Sequence, residues 1–236
     1  MKQKSSPFKK WKKAFSQKKE NQKVKNPSKQ KNDNISAGTS LTLIRKLPVS
    51  FRLSRLENPV DFERMSFVIK ACEKSANSHF KSVLHVEQTR TGSRLVATDG
   101  KRLHVAEISK KIKTGDYKFR ATKDVIFLGK SIKGIKFPVW SKAIPENTEK
   151  RGIINLTDSG MGKDRQETEK LSIAYNSFVQ QTGEPVNLRY LEDLTKREWA
   201  VYCQGEKRKA IVLREKSSKP DAKVPLAVIL PIQQAA

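Results

Sequence analysis

The sequence predicts an α+β fold in which helices pack on antiparallel sheet, in two similar modules. A strand, a helix and three further strands are predicted over residues 51–108, and the same order recurs over about 184–232. Asp99-Gly100 separates two alternating segments, which is the pattern of a β-hairpin. These two observations define the fold class, and a strongly basic N-terminal segment adds a third feature.

The positive charge is concentrated at the N-terminus. The chain of 236 residues carries 49 Lys and Arg against 24 Asp and Glu, a formal net charge of +25. Residues 1–36 contribute 12 lysines, two acids and few large apolar side chains, so we expect a largely disordered basic tail over 1–40. The modules follow at 41–145 and 146–236. So large a surplus suits a polyanionic partner, nucleic acid first and an acidic membrane surface second.

One stretch of the tail has the spacing of an amphipathic helix. Phe8, Trp11 and Phe15 share a face of such a helix and lie among lysines. The stripe could pack on the protein's own body, lie on an anionic membrane or stack along nucleic acid. A loosely held, solvated tail is the fourth alternative. The lysines are Lys9, Lys10, Lys12 and Lys13.

The first module begins with a strand and a well-marked helix. Residues 51–56 alternate as a strand does, and Asn58-Pro59 then supplies an N-cap followed by a proline at the first helical position. Apolar residues recur after it at spacings of three and four, which predicts one buried helix face. That face consists of Phe62, Met65, Ile69, Cys72 and Ala76.

Three strands are predicted after this helix, at 83–88, 93–98 and 101–108. Asp99-Gly100 joins the last two, and this dipeptide readily supplies the two positive φ angles of a type I′ turn.

The middle of the chain carries weaker signals. Thr122 is predicted to cap a short helix over 123–132, and 137–145 is an apolar connector bracketed by prolines. Residues 153–156 and 171–175 are interpreted as strands on either side of a charged loop.

The C-terminal part repeats the order of the first module. Asn187 is predicted to cap a short helix whose leucines share one face. Strands then follow at 199–203, 210–213 and 226–230.

The residues that would mark an enzyme are missing. Gly160-Met-Gly-Lys163 lacks the earlier glycine and the following Ser or Thr of a phosphate-binding loop. The three histidines are scattered, and Cys72 and Cys203 are not spaced as a zinc pair. We therefore expect a non-enzymatic protein without a metal or cofactor. The histidines are His79, His85 and His104.

Cellular location follows from the same composition. The longest apolar runs are too short to span a bilayer, and the basic N-terminus has no apolar signal region. Two cysteines make no disulfide framework. The sequence therefore predicts a cytoplasmic protein with no membrane span.

Several segments resemble one known family in the right order. Residues 97–103 (Ala-Thr-Asp-Gly-Lys-Arg-Leu) resemble the Ala-Thr-Asp-Gly-His-Arg-Leu signature of the bacterial DNA polymerase III beta sliding clamp. Residues 137–145 resemble its Phe-Pro-Asp-Tyr linker. Residues 187–191 and 228–232 resemble its Asn-Val-x-Tyr-Leu helix and its final Met-Pro-Met strand. The resemblance covers about 51–233 and corresponds to the second and third clamp domains.

The resemblance implies a DNA-clamp-like fold with helices on the inside of a ring and sheets outside. Cations on those helices would face the phosphates of encircled duplex DNA, so binding would be electrostatic, independent of sequence and able to slide. A solvated helix face is the alternative for each residue. The candidates are Arg64, Lys70, Lys74, Lys123, Lys130, Lys196 and Arg197, together with the tail lysines 9, 10, 12 and 13.

The family also has a groove between these two domains that binds short linear motifs of DNA polymerase and other replication proteins. A groove of this kind suits a peptide with apolar anchors. Ordinary core packing is the alternative for its leucines and isoleucine. By motif position the groove would contain Thr98, Arg102, Leu103, Pro138, Leu230, Pro231 and Ile232.

The chain departs from the family at several points. Lys101 replaces the signature histidine, and Leu-Pro-Ile replaces Met-Pro-Met. By this resemblance we expect the first clamp domain to have no counterpart, with a basic leader in its place. The interval between Ile108 and Pro138 is expected to be too short for the strands that complete the family's second domain.

The leading hypothesis is a shortened clamp-like protein, cytoplasmic and nucleoid-associated, that binds duplex DNA and tethers replication or repair proteins. By analogy with two-domain clamps of other families, we expect a homo-oligomer, a trimer. The alternative is a basic RNA- or ribosome-associated protein without clamp activity. Membrane attachment through the aromatic stripe at 8–15 is a third hypothesis.

Overall fold

An antiparallel sheet of ten strands organises the residues described by the computed structural model. Those residues are 49–73, 80–157, 165–194, 197–205, 209–217 and 224–232. The strands are β1 (Phe51–Ser54), β2 (Leu84–Gln88), β3 (Ser93–Thr98), β4 (Arg102–Ile108), β5 (Gly115–Ala121), β6 (Val125–Ile132), β7 (Glu149–Asn155), β8 (Glu198–Cys203), β9 (Ile211–Glu215) and β10 (Leu226–Ile229). The helices are α1 (Pro59–Ile69), α2 (Arg165–Thr182) and α3 (Leu188–Glu192), with 3-10 turns at Phe80–Ser82 and Trp140–Ala143.

The order of the strands is β1-β6-β5-β2-β3-β4-β10-β9-β8-β7. The pairing of β4 with β10 joins the strands of the first module to those of the second, with Leu103 opposite Val228 and Val105 opposite Leu226. We call this pairing the seam. The predicted α+β fold is confirmed. The predicted division into modules at residues 145 and 146 stays a prediction. The sheet itself is continuous across the seam.

The main core lies on the face of the sheet that carries the helices. Phe67 of α1 is 3% exposed, and its ring stacks on His104 of β4 at 4.3 Å and lies 5.4 Å from Trp199 of β8. Phe178 of α2 is fully buried in the same core. Trp199 donates from Nε1 to the oxygen of Leu194, 2.8 Å away. Helices from both halves of the chain thus cover one face.

Helix α1 begins as its sequence predicts but ends earlier. Pro59 occupies its first position, while the side chain of Asn58 makes no capping hydrogen bond. The buried carboxylate of Asp61 instead accepts hydrogen bonds from the main-chain nitrogens of Ser109 and Lys110, at 3.0 and 3.2 Å. The helix ends at Ile69, so Cys72, although buried, lies beyond it, and Ala76 lies outside the described residues.

The hairpin of β3 and β4 is confirmed, but its turn is not of type I′. Thr98 pairs with Leu103, so four residues, 99–102, lie between the last paired residues of the two strands. Gly100 has φ 86°, whereas Asp99 does not adopt a positive φ. The Asp99 carboxylate accepts from the main-chain nitrogens of Lys101 and Arg102, at 2.8 and 2.9 Å, and this bonding favours the longer turn.

The helix predicted over 123–132 is wrong, because this segment forms strand β6. Ile126 and Leu128 are buried on alternate positions and pair with β5, so the period is that of a strand. Lys123 lies exposed in the turn before β6, and Lys130 is exposed on the strand. The interval after Ile108 holds the two strands β5 and β6. Whether it is too short for the strands that complete the family's second domain stays a prediction.

The strand predicted over 171–175 is wrong as well. This segment belongs to helix α2, whose buried residues Leu171, Ala174 and Phe178 follow one another at spacings of three and four. The short apolar run alone did not reveal this period. Strand β7, by contrast, contains most of the segment predicted at 153–156.

Several predictions concern residues outside the described parts of the chain. These are the basic tail with its aromatic stripe and its lysines 9, 10, 12 and 13, and also Lys74, His79 and Lys196. Among the described helices, none combines the length and apolarity that a bilayer crossing requires.

Candidate functional site

The seam brings together the two motifs that carry the predicted peptide groove. Leu103 pairs with Thr98 on one side and with Val228 on the other. Beyond the end of β10, the main-chain nitrogen of Leu230 donates to the oxygen of Lys101 at 2.9 Å. The 98–103 turn therefore lies directly beside the last described segment of the chain.

On the face of the sheet away from the helices, apolar side chains from β3, β4, β9 and β10 form a row across the seam. Leu103 is 4% exposed within it. Residues of the linker between β6 and β7, 133–148, pack over the row. Leu103 is therefore core rather than open groove wall. This outer strip consists of Val96, Leu103, Val105, Val212, Leu226 and Val228.

Other predicted groove residues remain accessible. Leu230 is 44% exposed and Ile232 is 48% exposed. Pro138 of the linker is exposed, and Pro231 is half-buried. The accessible apolar surface thus lies at the end of the seam rather than along it.

Arg102 does not join this surface. It forms ion pairs with Asp99 and with Asp193, and its guanidinium lies 4.7 Å from the ring centre of Tyr190, beside helix α3. Burial raises the pKa of Asp193 to about 6, against the opposing effect of Arg102. Arg102 therefore links the 98–103 turn to the second half of the chain.

Three cations predicted to contact DNA are described near the helices, and each makes an internal hydrogen bond. Lys70 donates to the main-chain oxygen of Asp193 at 3.2 Å and stays exposed. Arg64 donates to the main-chain oxygen of Glu107 at 2.8 Å. Arg197 pairs with a glutamate of β9 and lies 5.4 Å from the ring of Phe67. Of these three, Lys70 presents its charge most openly.

Lys123 and Lys130 are not on a helix. They are exposed on the β5–β6 hairpin, so the helix that was expected to aim them at a duplex is absent. Whether they contact DNA stays an open prediction, but their placement removes the original reason for it.

A different group of cations lies on two loops held against each other, at 89–92 and 109–114. Neither loop contains an acid, and four of their side chains are exposed cations. We call these loops the basic loop pair. Sequence reasoning missed them, although the run at 109–113 (Ser-Lys-Lys-Ile-Lys) was a signal. The cations are Arg90, Lys110, Lys111 and Lys113.

The backbone of the basic loop pair is firmly anchored. Besides the bonds to Asp61, Ile112 is buried and its nitrogen donates to Ser93 Oγ at 2.7 Å. Gly92 packs so closely that a Cβ there would lie 2.0 Å from the oxygen of Ile108. The four cations therefore project from a fixed base, which reduces the entropy lost when they bind an anionic surface.

Both edges of the sheet carry exposed apolar side chains. In the described part of the chain β1 and β7 are the terminal strands. Beside β1, Leu56 is 93% exposed and Val60 is 61% exposed. At the other edge, Ile153 of β7 and Ile173 of α2 are 40% and 63% exposed and line a cleft of about 400 Å³. Unpaired strands with apolar neighbours are typical association surfaces.

No group of three or more His, Cys, Asp or Glu side chains in the described ranges is placed to hold a metal ion. His85 does contact Asp116, with 2.8 Å between Nδ1 and Oδ1, but its ring stacks on Phe137 of the linker at 4.5 Å. This pair therefore has a packing role.

Comparisons with known proteins bear on the fold. No protein-family model matches the chain, and no curated protein matches its sequence. The crystal structure of the DNA polymerase III beta chain from Streptococcus pneumoniae TIGR4 is similar, with a TM-score of 0.50 and 11% identity, over 89% of this chain and 69% of that chain. The DNA polymerase sliding clamp from Bacillus subtilis gives 0.50 and 12%, over 91% and 68%.

The likeness to these structures concerns the fold. It confirms the sequence resemblance at that level: the chain has a bacterial sliding-clamp-like fold, divergent in sequence and shorter than the solved clamps.

Proposed function

We propose that the chain is a non-enzymatic, sliding-clamp-like protein that binds duplex DNA without sequence preference and tethers replication or repair proteins. The single observation that carries this proposal is the seam. It makes one continuous sheet with the helices of both halves on one face and the outer strip on the other. These two faces are separate, as simultaneous binding of a nucleic acid and a protein partner requires.

Charge supports DNA as the polyanion. The net charge of +25 and the exposed cations of the basic loop pair suit contacts with phosphates, which carry affinity but no sequence information. We propose Lys70 and the basic loop pair as contacts made by the folded part of the chain. Arg64, Lys74, Lys196, Arg197 and the tail lysines remain further candidates, and a protein of this kind would be nucleoid-associated in the cytoplasm.

The exposed end of the seam supports the partner site. Leu230, Ile232 and Pro138 offer apolar contacts to a short linear motif, and Pro231 lies between the first two. Leu103 and Thr98 are largely buried, so we propose that they support this surface from beneath.

The two edges support self-association. If β1 of one copy pairs with β7 of the next, Leu56 and Val60 would meet the cleft lined by Ile153 and Ile173. Such a head-to-tail contact generates a ring when the rotation closes. By analogy with two-domain clamps, we propose a trimer.

The DNA proposal predicts that charge reversal in the basic loop pair weakens binding. We expect Lys110→Glu/Lys111→Glu/Lys113→Glu to lower duplex affinity by about tenfold or more and to reduce the slope of log K against log salt by about 2 to 3, since each phosphate contact contributes about 0.9. Fluorescence anisotropy with a labelled duplex of mixed sequence, measured over a series of salt concentrations, gives both quantities.

A matched control is available on the β5–β6 hairpin. Lys123→Glu/Lys130→Glu/Lys133→Glu makes the same change in formal charge on exposed side chains. A loss as large as that of the loop variant would contradict a DNA site confined to the basic loop pair, because it would mean either diffuse attraction or contact by the hairpin as well. A structured RNA of the same length completes the comparison. If the wild-type protein prefers that RNA over duplex DNA, the clamp proposal is contradicted and a basic RNA-binding protein is favoured.

A further inference from the structure

The outer strip is covered by a segment of the chain that resembles a bound peptide. Phe137, Trp140 and Ile144 of the linker pack on it, whereas Val139 between them is 64% exposed. The linker therefore has an apolar side against the sheet and an exposed side toward solvent. The strip beneath it crosses the seam between the two halves of the protein.

The linker is held to the sheet by side chains. Trp140 donates from Nε1 to Glu87 Oε1 at 2.7 Å, and Phe137 stacks on His85 and meets Phe80 edge-on at 6.3 Å. Among the described residues, the main-chain hydrogen bonds of 135–145 stay within the segment, from Lys142 to Val139 and from Ile144 to Ser141. No ladder of hydrogen bonds has to be broken to lift it.

The linker adds positive charge to a protein that is already strongly basic. Between residues 135 and 145 it carries Lys136 and Lys142 and no acid, on a chain whose formal net charge is +25. A peptide with the same apolar anchors and acidic residues in place of these lysines would avoid that like-charge repulsion. It would also find Leu230 and Ile232 exposed at the end of the seam, where binding could begin before the linker leaves.

We propose that the outer strip is itself a binding site for an extended, acidic peptide with two large apolar side chains spaced as Phe137 and Trp140 are. The linker is the resident occupant of this site, and a partner binds by displacing it. This inference rests on the proposed tethering function and names the class of partner and its regulation. Because the linker is part of the same chain, it competes with a partner peptide for the outer strip at a high effective concentration. The linker therefore occupies the strip unless the partner binds more strongly.

The test replaces the two aromatic side chains that hold the linker on the outer strip and adds a separate peptide that can bind in its place. The full-length variant Phe137→Ala/Trp140→Ala is titrated with a labelled synthetic peptide of residues 135–146 in which both lysines are replaced by glutamate. We expect about tenfold tighter binding than to the wild-type protein, because the competitor inside the chain is weakened. Val139→Ala, a change in the exposed side of the linker, is the matched control and should bind as the wild type does.

The unmodified peptide 135–146 provides a second comparison and should bind the double variant more weakly than the acidic one does. Circular dichroism reports whether the variant is folded. If it is folded and binds no tighter than the wild type, the inference is overturned. If it is unfolded, hydrogen exchange of the wild-type protein decides instead: saturating acidic peptide should speed exchange of the linker amides, and unchanged exchange overturns the inference.

Duplex binding by the same proteins distinguishes a failure of the peptide-displacement proposal from a failure of the proposed DNA-binding function. When peptide displacement fails but duplex affinity matches that expected for a clamp, the inference alone is lost. When the wild-type protein does not bind duplex DNA, the proposed function is lost as well.

Discussion

Phe67→Ala is expected to destabilise the protein by about 3 to 5 kcal/mol, the usual range for removal of a buried Phe side chain. Phe67 belongs to α1, yet its ring contacts His104 on β4 and Trp199 on β8, and Arg197 lies over it. The variant therefore opens a cavity where the two halves of the sheet and a helix meet. Urea unfolding followed by circular dichroism measures the loss.

A control on the same helix separates packing from helix propensity. Val60 is 61% exposed, so Val60→Ala should change the free energy of unfolding by no more than about 0.5 kcal/mol. If Phe67→Ala costs less than about 1 kcal/mol, the described packing across the seam is contradicted.

His104→Gln and Asp193→Asn are expected to change the pH dependence of stability in opposite directions. The ring of His104 is fully buried, and its Nδ1 lies 2.9 Å from the main-chain oxygen of Phe67, so this nitrogen carries the proton and Nε2 has no partner. Burial lowers the pKa of His104 to about 3, and Arg102 lies among the cations that lower it further. The charged imidazolium is thus strongly disfavoured in the folded state.

The direction in which each group changes stability with pH follows from the difference in protons bound by the unfolded and folded states. Between pH 6.5 and about 3 the unfolded chain protonates His104 and the folded chain does not, so this group makes the folded state less stable as pH falls. Over this whole pH interval the loss of folding free energy is on the order of 5 kcal/mol. Asp193 behaves oppositely: with a pKa raised from 3.8 to about 6, it makes the folded state less stable as pH rises through that interval.

The two effects overlap between about pH 4 and 6 and oppose each other there in the wild-type protein. His104→Gln should make stability rise less steeply with pH, and Asp193→Asn more steeply, each by about 1.4 kcal/mol per pH unit. Chemical denaturation at several pH values gives the slopes. Equal slopes in all three proteins, or changes of the same sign, would show that these side chains are not buried as described.

Local signals explain which elements could be predicted from the sequence. Helix α1 has Pro59 at its first position and a run of apolar residues at helical spacing, and the β3–β4 hairpin has alternating segments around Asp99-Gly100. Helix α3 is capped as predicted, since the side chain of Asn187 accepts from the nitrogen of Arg189. In each case the residues that decide the structure are neighbours in sequence.

Elements with short apolar runs could not be predicted in this way. Residues 125–128 and 171–175 are each four or five mostly apolar residues, and such runs do not distinguish a strand from a helix. The first became β6 because β1 and β5 pair with it on both sides. The second became part of α2 because a longer stretch carries the helical period.

The candidate site depends on contacts between distant parts of the chain. The seam pairs residues near 104 with residues near 227, and only the family resemblance indicated it in advance. The sequence could not show that Arg102 turns toward Asp193 and away from the outer strip, nor that Asp61 anchors the loop at 109–113. These arrangements follow from the packing of α1 and α3 on the finished sheet.

The central claim, a clamp-like protein whose unpaired edges close around duplex DNA, is tested most directly by its mass in solution. Multi-angle light scattering at micromolar concentration, with and without a duplex, compares that mass with the 26.8 kDa of one chain. We expect three chains per particle when duplex DNA is present. A single-chain mass under both conditions would contradict ring formation.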